Sequence, residues 1–400
     1  MRQLASPSQE TPPHGPSGPH DRSALPRATR VVVKLGSAVV APGGQLSTEE
    51  VTRITTDLAA VLARGVEIIL VTSGAVASGF RALGLEAMPR TIVEKQAAAA
   101  VGQTRLMNAW AGAFALHRRA VGQVLLTGDD FDHPTRLHNA RTTLETLLSR
   151  GVVPIINEND SVSFDEIRLG DNDRLSALVA GVLSAHALII LSTAPGVCRA
   201  GSSPPEVIHH FPGGVHEALT HVYAGTSAVG TGGMRTKLEA VAIAHDACAA
   251  AVITAGAGER PVSRVLAGES IGTFFAPPAR ARSTRSRYIG YAARSRGSIT
   301  LDAGARKAIV ERNASVLPSG IAAVVGDFPA RAVIDIRDEN GATIARGVSA
   351  YAASEVRTLK GHRTSEIETL LGYCYSEEIV HRSNLVLLPG ARAARPGAAP

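Results

Sequence analysis

The 400-residue chain predicts an α/β domain built on a largely parallel central sheet, followed by a small, mostly β domain. Three observations carry this. Short continuous apolar runs alternate with longer stretches of helical composition from Arg30 to Ile253; strands buried on both faces read in this way. Past Ala276 the pattern changes to short β-like runs, introduced by Pro277-Pro278 and an arginine-rich segment. Apolar residues make up 45% of the chain against 19% charged, a balance that supports a core and excludes a disordered chain.

Taken in order, the apolar runs place strands at 31–33, 66–71, 152–156, 187–191 and 249–253. Helices are expected over 48–64, 91–116, 136–150, 172–185 and 234–246. Within the second of these, Met107, Trp110 and Phe114 recur at helical spacing and read as core. Right-handed crossovers would bring the C-terminal ends of the strands to one edge, where open α/β sheets bind ligands. In the second domain, strands are expected at 298–301, 322–325, 332–336 and 343–350, with Asn340-Gly341 as a hairpin signal. The implied layout is a disordered tail (1–28), the α/β domain (29–275), a basic linker (276–296), the β domain (297–385) and a second disordered tail (386–400).

Several function classes drop out. No apolar stretch reaches about 18 uncharged residues; residues 175–191 come nearest and are interrupted by His186, so no membrane association is expected. The first 28 residues are rich in Pro, Ser and His and lack the apolar segment of a secretory signal. Cys198, Cys248 and Cys374 are odd in number and form no CxxC pair, so they read as reduced thiols of a cytoplasmic protein. His133 with His138, and the pair His209-His210, have poor metal-ligand spacing, and no metal-ligating residue is assigned. The net charge of +6 is uneven, because residues 276–400 alone carry +7, headed by Arg280, Arg282, Arg285, Arg287, Arg294 and Arg296. Such a cluster attracts phosphate backbones or merely solubilises a linker.

Chemistry concentrates where strands are expected to end. Lys34-Leu35-Gly36-Ser37 closes the first strand and Thr72-Ser73-Gly74-Ala75 the second. Asn157-Glu158-Asn159-Asp160 follows a run of Val, Pro and Ile, where packing gives no reason for four polar residues. Gly170-Asp171-Asn172-Asp173 comes next; it doubles as a helix N-cap, but its two carboxylates lean towards function. Gly230-Thr231-Gly232-Gly233-Met234-Arg235-Thr236-Lys237 is a glycine-rich turn entering a helix. It is not a GxxxxGK[ST] loop, and no GxGxxG follows the first strand. Taken together, two lysines and glycine turns on one edge suit a polyphosphate, since lysines neutralise transferring phosphate oxygens. Asp173 could hold the lysines in place.

These motifs identify the chain as resembling the glutamate 5-kinases, a branch of the amino acid kinase family with an appended PUA domain. The resemblance runs from Val31 to about Leu387 and includes Lys95-Gln96, the run Ala99-Ala100-Val101-Gly102-Gln103, and Asn139-Ala140-Arg141. In the second domain it includes Leu317-Pro318, Gly320-Ile321, the run Ala345 to Ser349, and Leu371-Gly372-Tyr373. The resemblance implies an amino-acid-kinase-like sandwich and a PUA-like domain. It also implies ATP-dependent phosphorylation of the γ-carboxylate of L-glutamate, the first step of proline biosynthesis, with Mg²⁺ accompanying ATP. Lys34, Lys237 and Asp173 would be catalytic. Gly36, Ser37, Thr193, Ala194, Thr231, Gly232, Gly233, Met234, Arg235 and Thr236 would line the ATP site with the two lysines. Ser73, Gly74, Ala75, Asn157, Asp160 and Asn172 would hold glutamate. A homo-oligomer and hand-off of product to glutamyl phosphate reductase are implied as well.

One departure stands out. The family has aspartate where this chain has Ala194, tyrosine at Cys198 and Asp-Pro-Arg in place of 202–205. Loss of one charged hydrogen bond predicts ATP binding weaker by roughly 10- to 100-fold. The competing reading is a weakened paralogue that binds RNA through the basic PUA-like domain, with Tyr351, Tyr373 and Tyr375 as stacking candidates.

Overall fold

The computed structural model describes residues 21–161, 171–199, 201–212, 214–224, 231–277 and 295–388. Arg280, Arg282, Arg285, Arg287 and Arg294 of the basic cluster lie outside them.

The first sheet holds β1 (Arg30–Leu35), β2 (Glu67–Val71), β3 (Val121–Leu126), β4 (Val153–Glu158), β5 (Ala187–Ser192), β6 (Ala250–Ala255) and β7 (Thr273–Phe275). Their order is β3-β4-β2-β1-β5-β6-β7. All neighbours are parallel except β7, which runs antiparallel to β6. The inner strands are covered on both faces, so they are mainly apolar and their side chains serve two cores alternately. Val31, Val33, Ile68 and Leu70 point into one, with helices Thr48–Leu62 and Ile92–Ala115 supplying Ile54, Leu58, Leu106, Trp110 and Phe114. Val32, Ile69 and Val71 point into the other, with Leu175 and Val179 of helix Asp171–Val182 and Leu238 and Val241 of helix Thr231–Asp246. The first two helices start where a cap is available: Ser47 accepts from the Glu50 N–H at 3.2 Å and Thr91 from that of Glu94 at 3.3 Å.

The second sheet is ordered β12-β11-β10-β8-β9, from β8 (Ser298–Leu301), β9 (Ile321–Val325), β10 (Val333–Arg337), β11 (Thr343–Val348) and β12 (Leu385–Leu387). It has its own core, including Ile299, Ile334, Ile344, Val356 and Ile367. The Asn-Gly signal is met: β10 and β11 form an antiparallel hairpin with Gly341 at φ +80°. Asp338 Oδ1 accepts from the N–H groups of Asn340 and Ala342, both at 3.0 Å.

The structure corrects four expectations. Residues 22–28 are not part of a disordered tail: Arg22–Arg27 is a 3₁₀ helix whose Leu25 is fully buried. Arg22 donates to the carbonyls of Glu269 and Ile271 at 2.7 and 2.6 Å and lies 5.5 Å from the centre of the Phe274 ring. Val386 and Leu387, placed in the second tail, belong to β12, which pairs antiparallel with β11. Tyr351 is not an exposed stacking surface: it is 1% exposed, donates to the Ser376 carbonyl at 2.5 Å and accepts from the Ser376 N–H at 2.9 Å. Tyr373 and Tyr375 are the exposed pair. The helix expected at 234 begins at Thr231, so the glycine-rich segment from there is helical.

His245, in the last turn of helix Thr231–Asp246, is buried beside β7 and faces the Phe275 carbonyl at 3.2 Å. Burial, partly offset by that hydrogen bond, lowers its pKa to about 4. The unfolded chain therefore binds this proton first, at its ordinary value of about 6.5. The contribution is complete above that pH and is lost as pH falls towards about 4. Urea unfolding between pH 7 and 4.5 should show a loss approaching about 1.4 kcal/mol per pH unit from this group. His245→Gln should reduce that slope correspondingly, and an identical slope in the variant would contradict the assignment.

Candidate active site

Because β1, β2, β4 and β5 are adjacent and parallel, their C-terminal ends share one edge. Lys34 sits one residue from the end of β1, in register with Val71 and Ile190. Its side chain is only 5% exposed, and its ammonium lies 2.5 Å from Asp173 Oδ1. Asp173 is 1% exposed and comes from the first turn of helix Asp171–Val182. Its other oxygen, Oδ2, accepts from Lys237 Nζ at 3.1 Å and Thr236 Oγ1 at 2.9 Å. Lys237 also donates to the Gly233 carbonyl one turn back, at 3.2 Å.

Burial alone would push the Asp173 carboxyl up, but the ammoniums of Lys34 and Lys237 outweigh it and hold the carboxyl below its ordinary value. Lys34 is lowered, chiefly by burial and further by Lys237, with Asp173 opposing. Formally this is two cations on one carboxylate, a positive centre with its counter-charge held underneath. Such a centre accepts anionic groups and suits the charge that develops when a phosphoryl group moves.

A second cluster is made of amides. Asn157, next to last in β4, is 1% exposed. Its Oδ1 accepts from the Glu158 N–H at 2.9 Å and from Asn172 Nδ2 at 3.1 Å. Its Nδ2 donates to Gln103 Oε1 at 2.8 Å, and the Glu158 N–H also reaches Asn172 Oδ1 at 3.2 Å. Asn172 and Asp173 are consecutive, so their side chains diverge by about 100° around the helix. One joins the amides and the other the lysines. A single helix start therefore ties the two clusters together.

Glycine brings the remaining wall close. A Cβ at Gly102 would stand 1.8 Å from the Ala75 carbonyl oxygen, and one at Gly79 would stand 1.9 Å from that of Ala98. Helices Ala75–Gly79 and Ile92–Ala115 thus touch backbone to backbone. Ser73, Gly74 and Ala75 stand at the end of β2, whose neighbour β4 leads to Asn157 and Asp160. Gly74 has φ +107°, a conformation that glycine reaches without strain.

Of the expected ATP-site residues, Gly36 donates its N–H to the Leu191 carbonyl at 3.2 Å, and Ser37 is exposed at the start of the following short helix. Thr193 and Ala194 follow β5, with Thr193 exposed. Thr231, Gly232 and Gly233 open the helix that carries Lys237. Met234 packs against the core, and Arg235 pairs with Glu239 at 2.8 Å on the helix surface. Gly170 and Gly230 lie outside the described residues. The sequence reading assigned no role to Gln103 or to the hydroxyl of Thr236 as a partner of Asp173. The first had a signal in its motif; the second rests on a contact between distant segments. Among the described residues no group of three or more His, Cys, Asp or Glu side chains could hold a metal ion.

Residues 29–254 match the amino acid kinase family. The chain belongs to that family. Beyond the kinase domain, residues 297–371 match the PUA domain. Curated relatives include the glutamate 5-kinase of Myxococcus xanthus, 46% identical over 92% of this chain and 98% of that protein. The glutamate 5-kinase of Geobacter sp. is 43% identical over 92% of this chain and 100% of that protein. Among solved structures, carbamate kinase from Giardia lamblia bound to AMP-PNP is similar at a TM-score of 0.46 and 15% identity, covering 63% of this chain and 100% of that one.

The backbone contact in the kinase domain yields a test. Gly102→Ala must displace helix Ala75–Gly79, because the clashing atom is a backbone carbonyl oxygen rather than a flexible side chain. The variant is expected to lose about 2 kcal/mol or more of stability in urea unfolding. Gly112→Ala, on the same helix but with no atom near the new methyl, should be neutral or slightly stabilising.

Proposed function

We propose that the chain transfers the γ-phosphoryl group of ATP to the γ-carboxylate of L-glutamate, giving L-glutamyl 5-phosphate and ADP. The observation that carries this is the buried Lys34–Asp173–Lys237 group at the sheet edge, in a chain whose curated relatives are glutamate 5-kinases along nearly their whole length.

The chemistry asks little of proton transfer. A carboxylate is already ionised at pH 7, so no general base is needed. A carboxylate oxygen forms the new bond to the γ-phosphorus, the bond to the β-phosphate bridging oxygen breaks, and ADP leaves. What must be overcome is repulsion between two anions and the cost of bringing them into line. Lys34 and Lys237 neutralise charge on the transferring group, while Asp173 holds them apart and in place. Asn157 and Asn172, with Ser73, Gly74, Ala75 and Asp160, hold glutamate. Gly36, Ser37, Thr193, Ala194 and the segment from Thr231 to Lys237 line the nucleotide site. Both carboxylate oxygens of Asp173 are engaged by cations, so it is not a free metal ligand. Mg²⁺ enters on the phosphates of ATP, as part of the substrate. The reading makes this a cytoplasmic enzyme of proline biosynthesis, acting as a homo-oligomer and passing a labile acyl phosphate to glutamyl phosphate reductase.

The weakened RNA-binding paralogue is disfavoured. Lysine–carboxylate geometry is intact, and Tyr351 is core rather than a stacking surface.

ADP release from MgATP should depend on L-glutamate, and Lys237→Ala should lower kcat by about 100-fold or more; near-normal turnover in that variant would remove Lys237 from the mechanism. Ala194→Asp should lower the KM for ATP by roughly tenfold or more if its methyl stands where a nucleotide contact belongs. An unchanged KM would show that position 194 does not touch the nucleotide.

A further inference from the structure

We infer that Gln103 is a positioning residue for the acceptor substrate, acting through Asn157; this rests on the function proposed above. The starting point is a donor that cannot rotate. The backbone N–H of Glu158 points at Asn157 Oδ1 and Asn172 Oδ1, at 2.9 and 3.2 Å. It thereby settles which end of each amide is oxygen. The NH₂ of Asn172 then meets Asn157 Oδ1 at 3.1 Å, and the NH₂ of Asn157 is left facing Gln103 Oε1 at 2.8 Å. Gln103 must present its oxygen there, so its own NH₂ turns away.

That NH₂ is buried and meets no acceptor among the described residues. A buried donor without a partner is destabilising; an apolar side chain of the same length would remove that orphan but leave the NH₂ of buried Asn157 without its acceptor. Glutamine at this place leaves one donor of its own unmatched, and what its oxygen supplies is the orientation of Asn157. The support is rigid. Gln103 lies mid-way along the 24-residue helix Ile92–Ala115, one residue after the glycine that seats this helix on helix Ala75–Gly79.

The test uses the full chain with Gln103→Met, with Gln103→Leu as a second variant should the first fail to fold. ADP release is followed over wide ranges of L-glutamate and MgATP, and thermal melting is recorded on the same samples. The expected result is a melting temperature changed by no more than a few degrees, since one unmatched buried donor replaces another, a glutamate KM raised about tenfold, and kcat and the KM for ATP within about twofold of the unmodified chain. In an Asn157→Ala background the same substitution should change the glutamate KM by less than about twofold, because a residue acting through another has nothing left to act on. The inference is overturned by a glutamate KM within twofold of the unmodified chain, or by an equal fold-change in both backgrounds. A lowered melting temperature with an unmoved KM would likewise overturn it, as the mark of a purely structural residue. If the unmodified chain releases no ADP in response to glutamate, the proposed function itself fails; an active chain with an insensitive Gln103 variant fails this inference alone.

Discussion

Asp173 is the group on which the site depends. A carboxylate taken almost wholly out of water is costly unless its charge is matched, and here it is matched twice, by Lys34 from β1 and Lys237 from a helix far along the chain. Replacing such a group by apolar residues is often neutral or favourable for stability. Its presence is therefore weak evidence about folding and strong evidence about chemistry: it fixes two ammoniums at the edge of the sheet with charge to spare. Burial and charge act in opposite senses on the two partners: the Asp173 carboxyl is held down by its two ammoniums against the effect of burial, whereas the Lys34 ammonium is lowered chiefly by burial.

The position of Asp173 is as informative as its charge. It shares the start of one helix with Asn172, so the lysine pair and the amide cluster cannot shift independently. In-line transfer between two anions requires them to be held in one geometry, and a helix start that contributes to both clusters provides it without a hinge. The adjoining wall is just as fixed. Gly79 and Gly102 let two helices meet backbone to backbone, and that contact sets the loop of Ser73 to Ala75 beside the amides.

The amide cluster differs from the ionic one in kind. Neutral side chains do not steer over distance; they discriminate by which atom is donor and which acceptor. A single backbone N–H, that of Glu158, orients two of them directly and a third through Asn157. The same logic explains the Asp338 turn of the second domain, where one carboxylate oxygen holds two backbone N–H groups and with them the hairpin.

Much of this was legible in one dimension, because buried parallel strands write themselves as unbroken apolar runs and polar loops after them have no packing reason to exist. Five of the seven strands of the first sheet, the lysines, Asp173 and the asparagine loops follow from that alone. β3 and β7 escaped because edge strands are short or half exposed and carry little apolar signal. The 3₁₀ helix of Arg22–Arg27 escaped because its Pro and Ser content resembles a tail, while its order comes from Leu25 and from carbonyls about 250 residues away in sequence. Sequence by itself determined the inner strands and the long helices between them, the chemical groups and the edge where they gather, since these are set by local pattern and by the handedness of crossovers. Only the tertiary structure decided which lysine meets which carboxylate oxygen, that Gln103 belongs to the site, and that Tyr351 is core. Those are contacts between residues distant in the chain, and no local pattern encodes the distance between them.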